Sequence, residues 1–292
     1  MVQMSATSFD LSWLSVPAGS AELDTVRRCV LVVASALERL TGDLSLARPG
    51  TGSKAQLALS SPANMETSTG TSHLADAQSA MFTATRAGAD HVRAYGMNVL
   101  GGQTTVSNWT LARAALEAFG RAYSLLGSVE PTDLLSRYVA LTKSEFRFAR
   151  LTEFATRDGK KLDVEWYIAG LEAMARSAGA ESATAPSATS MASTLIEDAA
   201  PGNGGRQRYS QLSSAAHGES VGVQMFIPEI HGGFTLPKVL VSQASFMVAA
   251  GGILLGDELV TYYEPPATVS AQWKRRRDRA LNVVFEAAAA ED

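Results

Sequence analysis

Apolar residues recur at steps of three and four along most of the chain, which is typical of helices with one buried face. The first run predicts a helix over residues 21–40, capped by Ser20 and ended at Gly42. The same spacing predicts further helices over residues 72–99, 109–126, 132–156, 164–177, 209–217, 237–255 and 269–290. Because every long periodic segment has the helical period, we expect an all-α fold, a multi-helix bundle with long loops and at most one short strand or hairpin.

Segments rich in Gly, Ser, Thr and Pro separate some of these helices. Residues 42–71 are interpreted as a long connection with a candidate strand at 56–60. Residues 178–190 are interpreted as a linker that is mobile unless packed, and residues 191–198 as one or two short helical turns. Residues 219–236 have the pattern of irregular or extended chain with a short alternating stretch.

Composition favours helices that pack closely. Hydrophobic residues make up 46% of the chain and aromatic residues only 7%, with alanine the most frequent apolar type, and this balance favours helices over aromatic-rich sheets. We expect a single domain over residues 1–292. Its core bundle would span 72–255, with the helices at 21–41 and 269–290 packed on it.

Charge and cysteine content exclude several classes of protein. The formal net charge of −4 gives no global reason to bind nucleic acid. The only cysteine, Cys29, excludes a disulfide framework and multi-cysteine metal sites, and its apolar neighbours predict a buried, inert thiol. No segment approaches about 18 uninterrupted apolar residues, and the first residues lack the pattern of a signal peptide. We therefore expect a cytoplasmic protein with no membrane partner.

A polar stripe precedes Gly218. Tyr209, Ser213 and His217 recur every four residues, so a helix that ends at the glycine would carry a phenol, a hydroxyl and an imidazole on one face. The imidazole of His217 suits acid/base catalysis near pH 7. Alternatively, His217 is a half-buried side chain that caps or packs the end of the helix.

A charged ladder lies on the helix predicted at 109–126, where Arg113, Glu117 and Arg121 are spaced by four residues. In one interpretation it is an exposed face of ion pairs, each worth about 0.3–0.5 kcal/mol. In the other, Arg113 and Glu117 point inward and bond to the polar stripe of Tyr209 and His217. Apolar residues also flank the ladder, as they would on a central helix.

The remaining candidates for metal or phosphate binding are weak. His73 and His91 are eighteen residues apart and His231 stands alone, so we expect no metal site. The loop 201–205 places glycines before a helix, as phosphate sites do, but it matches no nucleotide fingerprint. We therefore expect no cofactor. The basic run 274–279 is either a solvated helix face or a site for an anionic partner such as RNA.

Residues 111–126 and 209–218 resemble uncharacterised all-helical bacterial proteins that are similar in turn to the HEPN superfamily of helical bundles. The resemblance covers about residues 70–255 and implies an HEPN-like fold. Many members are metal-independent endoribonucleases of toxin and antiviral systems that work as dimers. Their motif is an arginine separated from a histidine by four to six residues. In this chain those positions before His217 are Ser210, Gln211 and Leu212, and Arg208 stands further away.

Superfamily members without this motif tend to be non-catalytic binding or scaffolding domains. Two functions therefore compete, beside the remaining alternative of an enzyme of unrelated chemistry with a substrate cavity in the bundle. The first is a non-catalytic module, in bacterial defence or stress response, that binds a protein partner, a second copy of itself, a nucleotide or RNA. In it Arg113, Glu117, Tyr209, Ser213 and His217 form a buried polar network. The second is a degenerate endoribonuclease, in which His217 is the acid or base and Arg113 or Arg208 holds the scissile phosphate, with Glu117 alongside.

Overall fold

The structure, a computed structural model, describes residues 20–65, 72–100, 106–155, 159–202, 204–216, 227–228, 234–235 and 238–289. It is 79% helical, which confirms the all-α prediction. The helices are α1 (Ser20–Leu46), α2 (Lys54–Ser60), α3 (His73–Leu100), α4 (Val106–Leu126), α5 (Pro131–Ala149), α6 (Val164–Ser177), α7 (Ala188–Ala199), α8 (Gly205–Ala216), α9 (Lys238–Tyr263) and α10 (Ala267–Ala289). Short antiparallel pairs join β1 (Glu153–Ala155) to β2 (Lys161–Asp163) and β3 (Ile227–Pro228) to β4 (Phe234–Thr235).

Helix α9 lies in the middle of the bundle. A Cβ atom added to Gly251 would come within 3.2 Å of Leu195 on α7, and one added to Gly252 within 2.8 Å of Val33 on α1. The helix therefore has close neighbours on different sides, which explains why its sequence is apolar all round rather than striped. By length and composition the stretch Val241–Tyr263 could also cross a membrane, but most of its residues are buried in the fold, as in a core helix.

Helix α4 also lies inside the bundle, where it packs against α3, α7, α8 and α9. Leu116 and Phe119 are fully buried on it, and the Phe119 ring lies directly against Gly88 of α3. Helix α1 packs against α3, α9 and α10. One hydrophobic cluster runs from Cys29 on α1 to Ala280 on α10, so the first and last helices share the core.

Several boundaries differ from the predicted ones because burial continues past the expected stop. Helix α1 runs through Gly42 to Leu46, since Leu44 is buried one turn beyond Leu40. Helix α9 continues past residue 255 for the same reason, because Leu259 is buried one turn further along. Helix α6 has the predicted bounds, and the Asp163 side chain caps it.

The strand predicted at 56–60 is wrong, because those residues belong to helix α2. The Ser53 side chain accepts a hydrogen bond from the Gln56 backbone N–H at 3.1 Å, which caps the first turn. Ala55 and Ala58 are buried at helical spacing. The Gln78 side chain on α3 donates to the Ala55 carbonyl at 2.9 Å. These contacts stabilise a helix where a strand was predicted.

The prediction that one helix runs over 132–156 is also wrong, since α5 ends at Ala149. Arg150 adopts a left-handed backbone with φ 52°, and its N–H bonds the carbonyls of the last turn. The chain then reverses into the β1–β2 hairpin, where the ring centroids of Phe146 and Phe154 lie 5.1 Å apart. Phe154 also packs against Tyr167 of α6, with the ring centroids 5.1 Å apart. This aromatic packing takes the place of the last two turns that were predicted for α5.

The segment predicted as a linker at 178–190 is mostly exposed, but it is anchored to the bundle near its start. Ala180 is buried, and the Ser136 hydroxyl on α5 donates to the Glu181 carbonyl. Helix α7 begins at Ala188 with Ser187 as its N-cap, so it is longer than the one or two turns expected. The predictions for residues 217–226 and for His231 lie outside the described residues.

Candidate functional site

Three of the predicted polar residues meet between α4 and α8. The Tyr209 hydroxyl donates to Glu117 Oε1. Arg113 Nε donates to the same carboxylate oxygen at 2.8 Å and to the Tyr209 oxygen at 3.3 Å. We call this set the Arg113–Glu117–Tyr209 network. The predicted bonds of Arg113 and Glu117 to Tyr209 are thus present, and the predicted contact with His217 lies outside the described residues. Arg121 pairs instead with Glu145 of α5 at 3.0 Å.

Burial sets the chemistry of the network. Tyr209 is fully buried, while the side chains of Arg113 and Glu117 are 22% and 28% exposed. Desolvation and the bond to Glu117 raise the pKa of the Tyr209 phenol. Desolvation alone would lower the pKa of Arg113, but its bonds to Tyr209 and Glu117 raise it overall. Tyr209 and Arg113 therefore keep their protons at neutral pH, and Glu117 accepts from both.

Close contact between α7 and α8 places Tyr209 at this position. A Cβ atom on Gly205 would lie 2.7 Å from the Ser193 carbonyl, so the start of α8 rests directly on the α7 backbone. Leu212, three residues after Tyr209, is buried on the same side of α8. Burial at both positions turns the phenol toward α4.

No family model, curated protein or solved structure matches this chain. The resemblance to the HEPN superfamily therefore stays a prediction.

The other predicted site residues lie along or beyond α8. Ser213 and Arg208 are partly exposed on the helix, and the hydrogen bonds of the network reach α8 at Tyr209. His217 follows the last residue of α8 and lies outside the described residues. Its part in the stripe and its catalytic role stay predictions.

A carboxylate fills the loop that suggested phosphate binding. Glu197, on α7, accepts hydrogen bonds from the backbone N–H groups of Gly202 at 3.1 Å and Gly205 at 2.7 Å. These bonds, the one from Gly205 first, lower the pKa of Glu197. Because the side chain already satisfies the amides that a phosphate would need, a phosphate there would have to displace Glu197.

Cys29 is a buried thiol, as predicted. It is 2% exposed, its Sγ lies 3.6 Å from the Ala280 carbonyl, and burial raises the pKa of the thiol to about 12. A thiol with this pKa is not a nucleophile at neutral pH. Within the described ranges, no group of three or more His, Cys, Asp or Glu residues could hold a metal ion.

His73 is buried at the start of α3, with Nε2 3.1 Å from the sulfur of Met174. Desolvation lowers the pKa of His73 below its usual 6.5, against a smaller opposing effect of Asp76. The unfolded state therefore binds this proton more readily than the folded state does. Stability that depends on neutral His73 is present above about pH 6.5 and is lost as pH falls through the window below it.

We expect the free energy of unfolding to fall less steeply between pH 7.5 and 5.5 in His73→Leu than in the wild type, because the variant removes this proton uptake. Urea denaturation across the pH range measures the slope. Met97→Leu, which changes an exposed side chain of the same helix and adds or removes no titratable group, is the control and should keep the wild-type slope. Equal slopes for wild type and His73→Leu would contradict the assignment.

The arginines of the basic run 274–279 differ in their surroundings. Arg277 pairs with Asp257 of α9 at 3.3 Å, and Arg276 with Asp43 of α1 at 3.5 Å. Arg275 and Arg279 are exposed. Arg276 and Arg277 therefore hold α10 against the bundle, whereas Arg275 and Arg279 face solvent.

The exposed arginines of α10 line a groove together with Arg28 and Arg39 of α1, which sequence reasoning missed. The spacing of the two arginines on α1 could have indicated part of this groove. Arg28 and Arg39 are eleven residues apart, which is three helical turns, so both lie on one face of α1. That this face meets the basic run at the other end of the chain follows only from the tertiary structure.

Proposed function

We propose that this chain is a non-catalytic helical module that acts by binding a macromolecular partner. The observation that carries the proposal is that Arg113, Glu117 and Tyr209 satisfy one another across two helices. Buried polar groups arranged in this way fix how helices pack, because sliding either helix would leave a donor or an acceptor unpaired.

The chemistry of the network supports a structural role. A general acid or base works best with a pKa near the ambient pH and with a position open to the substrate. Tyr209 is fully enclosed and the pKa of its phenol is raised. The Nε–H group of Arg113, a residue that could hold the phosphate in a nuclease, donates to Glu117 and Tyr209.

The competing function is a degenerate ribonuclease that uses His217. It is favoured by the partial exposure of Arg208 and Ser213 on α8, the helix that leads directly to this histidine. In that case His217 would move the proton, Arg208 would hold the phosphate, and the network would support α8 from behind.

An RNA cleavage assay separates the two functions. Purified wild type, His217→Ala and the control His91→Ala are incubated with total RNA in the absence of metal. We expect no cleavage above background from any of the three proteins. Cleavage by the wild type and by His91→Ala that is lost in His217→Ala would contradict the proposal and establish the ribonuclease.

A further inference from the structure

The groove between α1 and α10 has a volume of about 950 Å³. Its floor is aliphatic, formed by Leu31, Val32 and Ala36. Its rims carry the side chains of Arg28, Arg39, Arg275, Arg276 and Arg279. We call it the arginine groove.

Within the part of the chain that the structure describes, most of the positive charge in the arginine groove has no carboxylate partner. Arg39, Arg275 and Arg279 are exposed, and among the residues that the structure describes they have no ion-pair partner. Arg28 donates to the Asp24 carbonyl and to the Thr25 hydroxyl, both on its own helix. The lining also contains one carboxylate, Asp278, and this group already pairs with Arg277 at 3.0 Å and Lys274 at 3.5 Å. The groove is therefore cationic although the chain as a whole is acidic.

The dimensions suit an α-helix. Arg28 and Arg39 are separated by a rise of about 16 Å along α1. A helix of that length and about 11 Å across, sunk to half its diameter, occupies roughly 800 Å³, which is close to the volume of the groove. An aliphatic floor also matches the apolar stripe of such a helix. Among the residues whose side chains the structure describes, the lining of the groove includes no aromatic ring on which a nucleic-acid base could stack.

We propose that the arginine groove binds an acidic amphipathic α-helix of a protein partner. The apolar stripe of the helix rests on Leu31, Val32 and Ala36, and its flanking carboxylates meet the arginines of both rims. Arginine suits these rims because its guanidinium can bond a carboxylate through two parallel N–H groups. The inference deepens the proposed function, since it names the class of partner that the module would bind.

A designed peptide tests the proposal directly. The probe is a fluorescent helix of about four turns, with leucines along one stripe and glutamates on both flanks. A first control peptide keeps the glutamates and replaces the leucines by serine. A second control peptide keeps the leucines and replaces the glutamates by glutamine. Binding to the full-length protein is measured by fluorescence anisotropy at low and at physiological salt.

The protein variants isolate the groove from general electrostatics. Arg39→Glu/Arg279→Glu reverses one charge on each rim, and Arg48→Glu/Arg150→Glu makes the same change of net charge at exposed arginines outside the groove. We expect the first variant to bind the probe at least about tenfold more weakly. The second variant should stay within about twofold of the wild type, and both control peptides should bind more weakly than the probe.

Three outcomes would overturn the proposal. One is no binding of the probe at low salt, and another is equal weakening by the two protein variants. The third is that an RNA oligonucleotide or anionic vesicles bind as tightly as the probe with the same variant dependence, which would indicate a general polyanion site. The two experiments test different claims. If the probe does not bind, the proposal of a helix-binding groove fails, and the RNA cleavage assay still tests the proposed function. If RNA is cleaved and cleavage requires His217, the proposed function fails, and the peptide assay still tests the groove.

Discussion

Replacing Glu117 by leucine will lower the free energy of unfolding by about 1–3 kcal/mol. The change removes the acceptor of the Tyr209 hydroxyl, which is fully buried, and the carboxylate partner of Arg113. Removing water from the Tyr209 hydroxyl and from the Arg113 guanidinium costs free energy on folding. In the wild type the bonds to Glu117 offset this cost, and in the variant they are absent.

Urea denaturation at pH 7 measures this loss. Glu153→Leu is the matched control, because it removes a carboxylate from an exposed ion pair. The side chain of Glu153 is 60% exposed and that of its partner Lys161 is 72% exposed. We expect the control to stay within about 0.5 kcal/mol of the wild type. A loss in Glu117→Leu no larger than that of the control would mean that the network does not hold α4 and α8 together.

Replacing Gly120 by alanine will lower the free energy of unfolding by about 2 kcal/mol. In an exposed helix interior the same change should stabilise, by up to about 1 kcal/mol, because alanine is the better helix former. At Gly120 the new Cβ atom would lie 2.7 Å from the backbone nitrogen of Ala192 and the carbonyl carbon of Met191. Since those atoms are backbone, α4 and α7 have to separate.

Gly170→Ala on α6 is the control for this prediction, because no atom lies within 4 Å of the position that its Cβ would take. We expect Gly170→Ala to raise the free energy of unfolding by about 0.5–1 kcal/mol. Changes of the same sign in both variants would contradict the close approach of α4 and α7 at Gly120.

The helical period predicted the class of fold and most of the helices, because each buried face repeats along the chain as a stripe of apolar side chains. It failed where the deciding contact is distant in sequence. Helix α2 depends on the burial of Ala55 and Ala58 and on the hydrogen bond from Gln78 to the Ala55 carbonyl, and α5 ends where Phe154 returns to Phe146. A window of neighbouring residues contains neither contact.

The candidate site was likewise predictable only where it depends on neighbouring residues. Spacing alone placed Arg113 and Glu117 one turn apart and showed that Tyr209 would need a polar partner. It left two orientations open, because a helix flanked by apolar residues on several sides does not reveal which face meets which neighbour. The arginine groove was less predictable still, since its two rims come from opposite ends of the chain.

A double-mutant cycle on Glu117→Leu and Tyr209→Phe tests the central claim most directly, because it isolates the energy that couples α4 to α8. We predict that the free energy of unfolding of the double variant exceeds the additive expectation by about 1–2 kcal/mol, since removing the hydroxyl relieves the unpaired donor that Glu117→Leu creates. Losses that add within about 0.3 kcal/mol would contradict a polar network that joins the two helices.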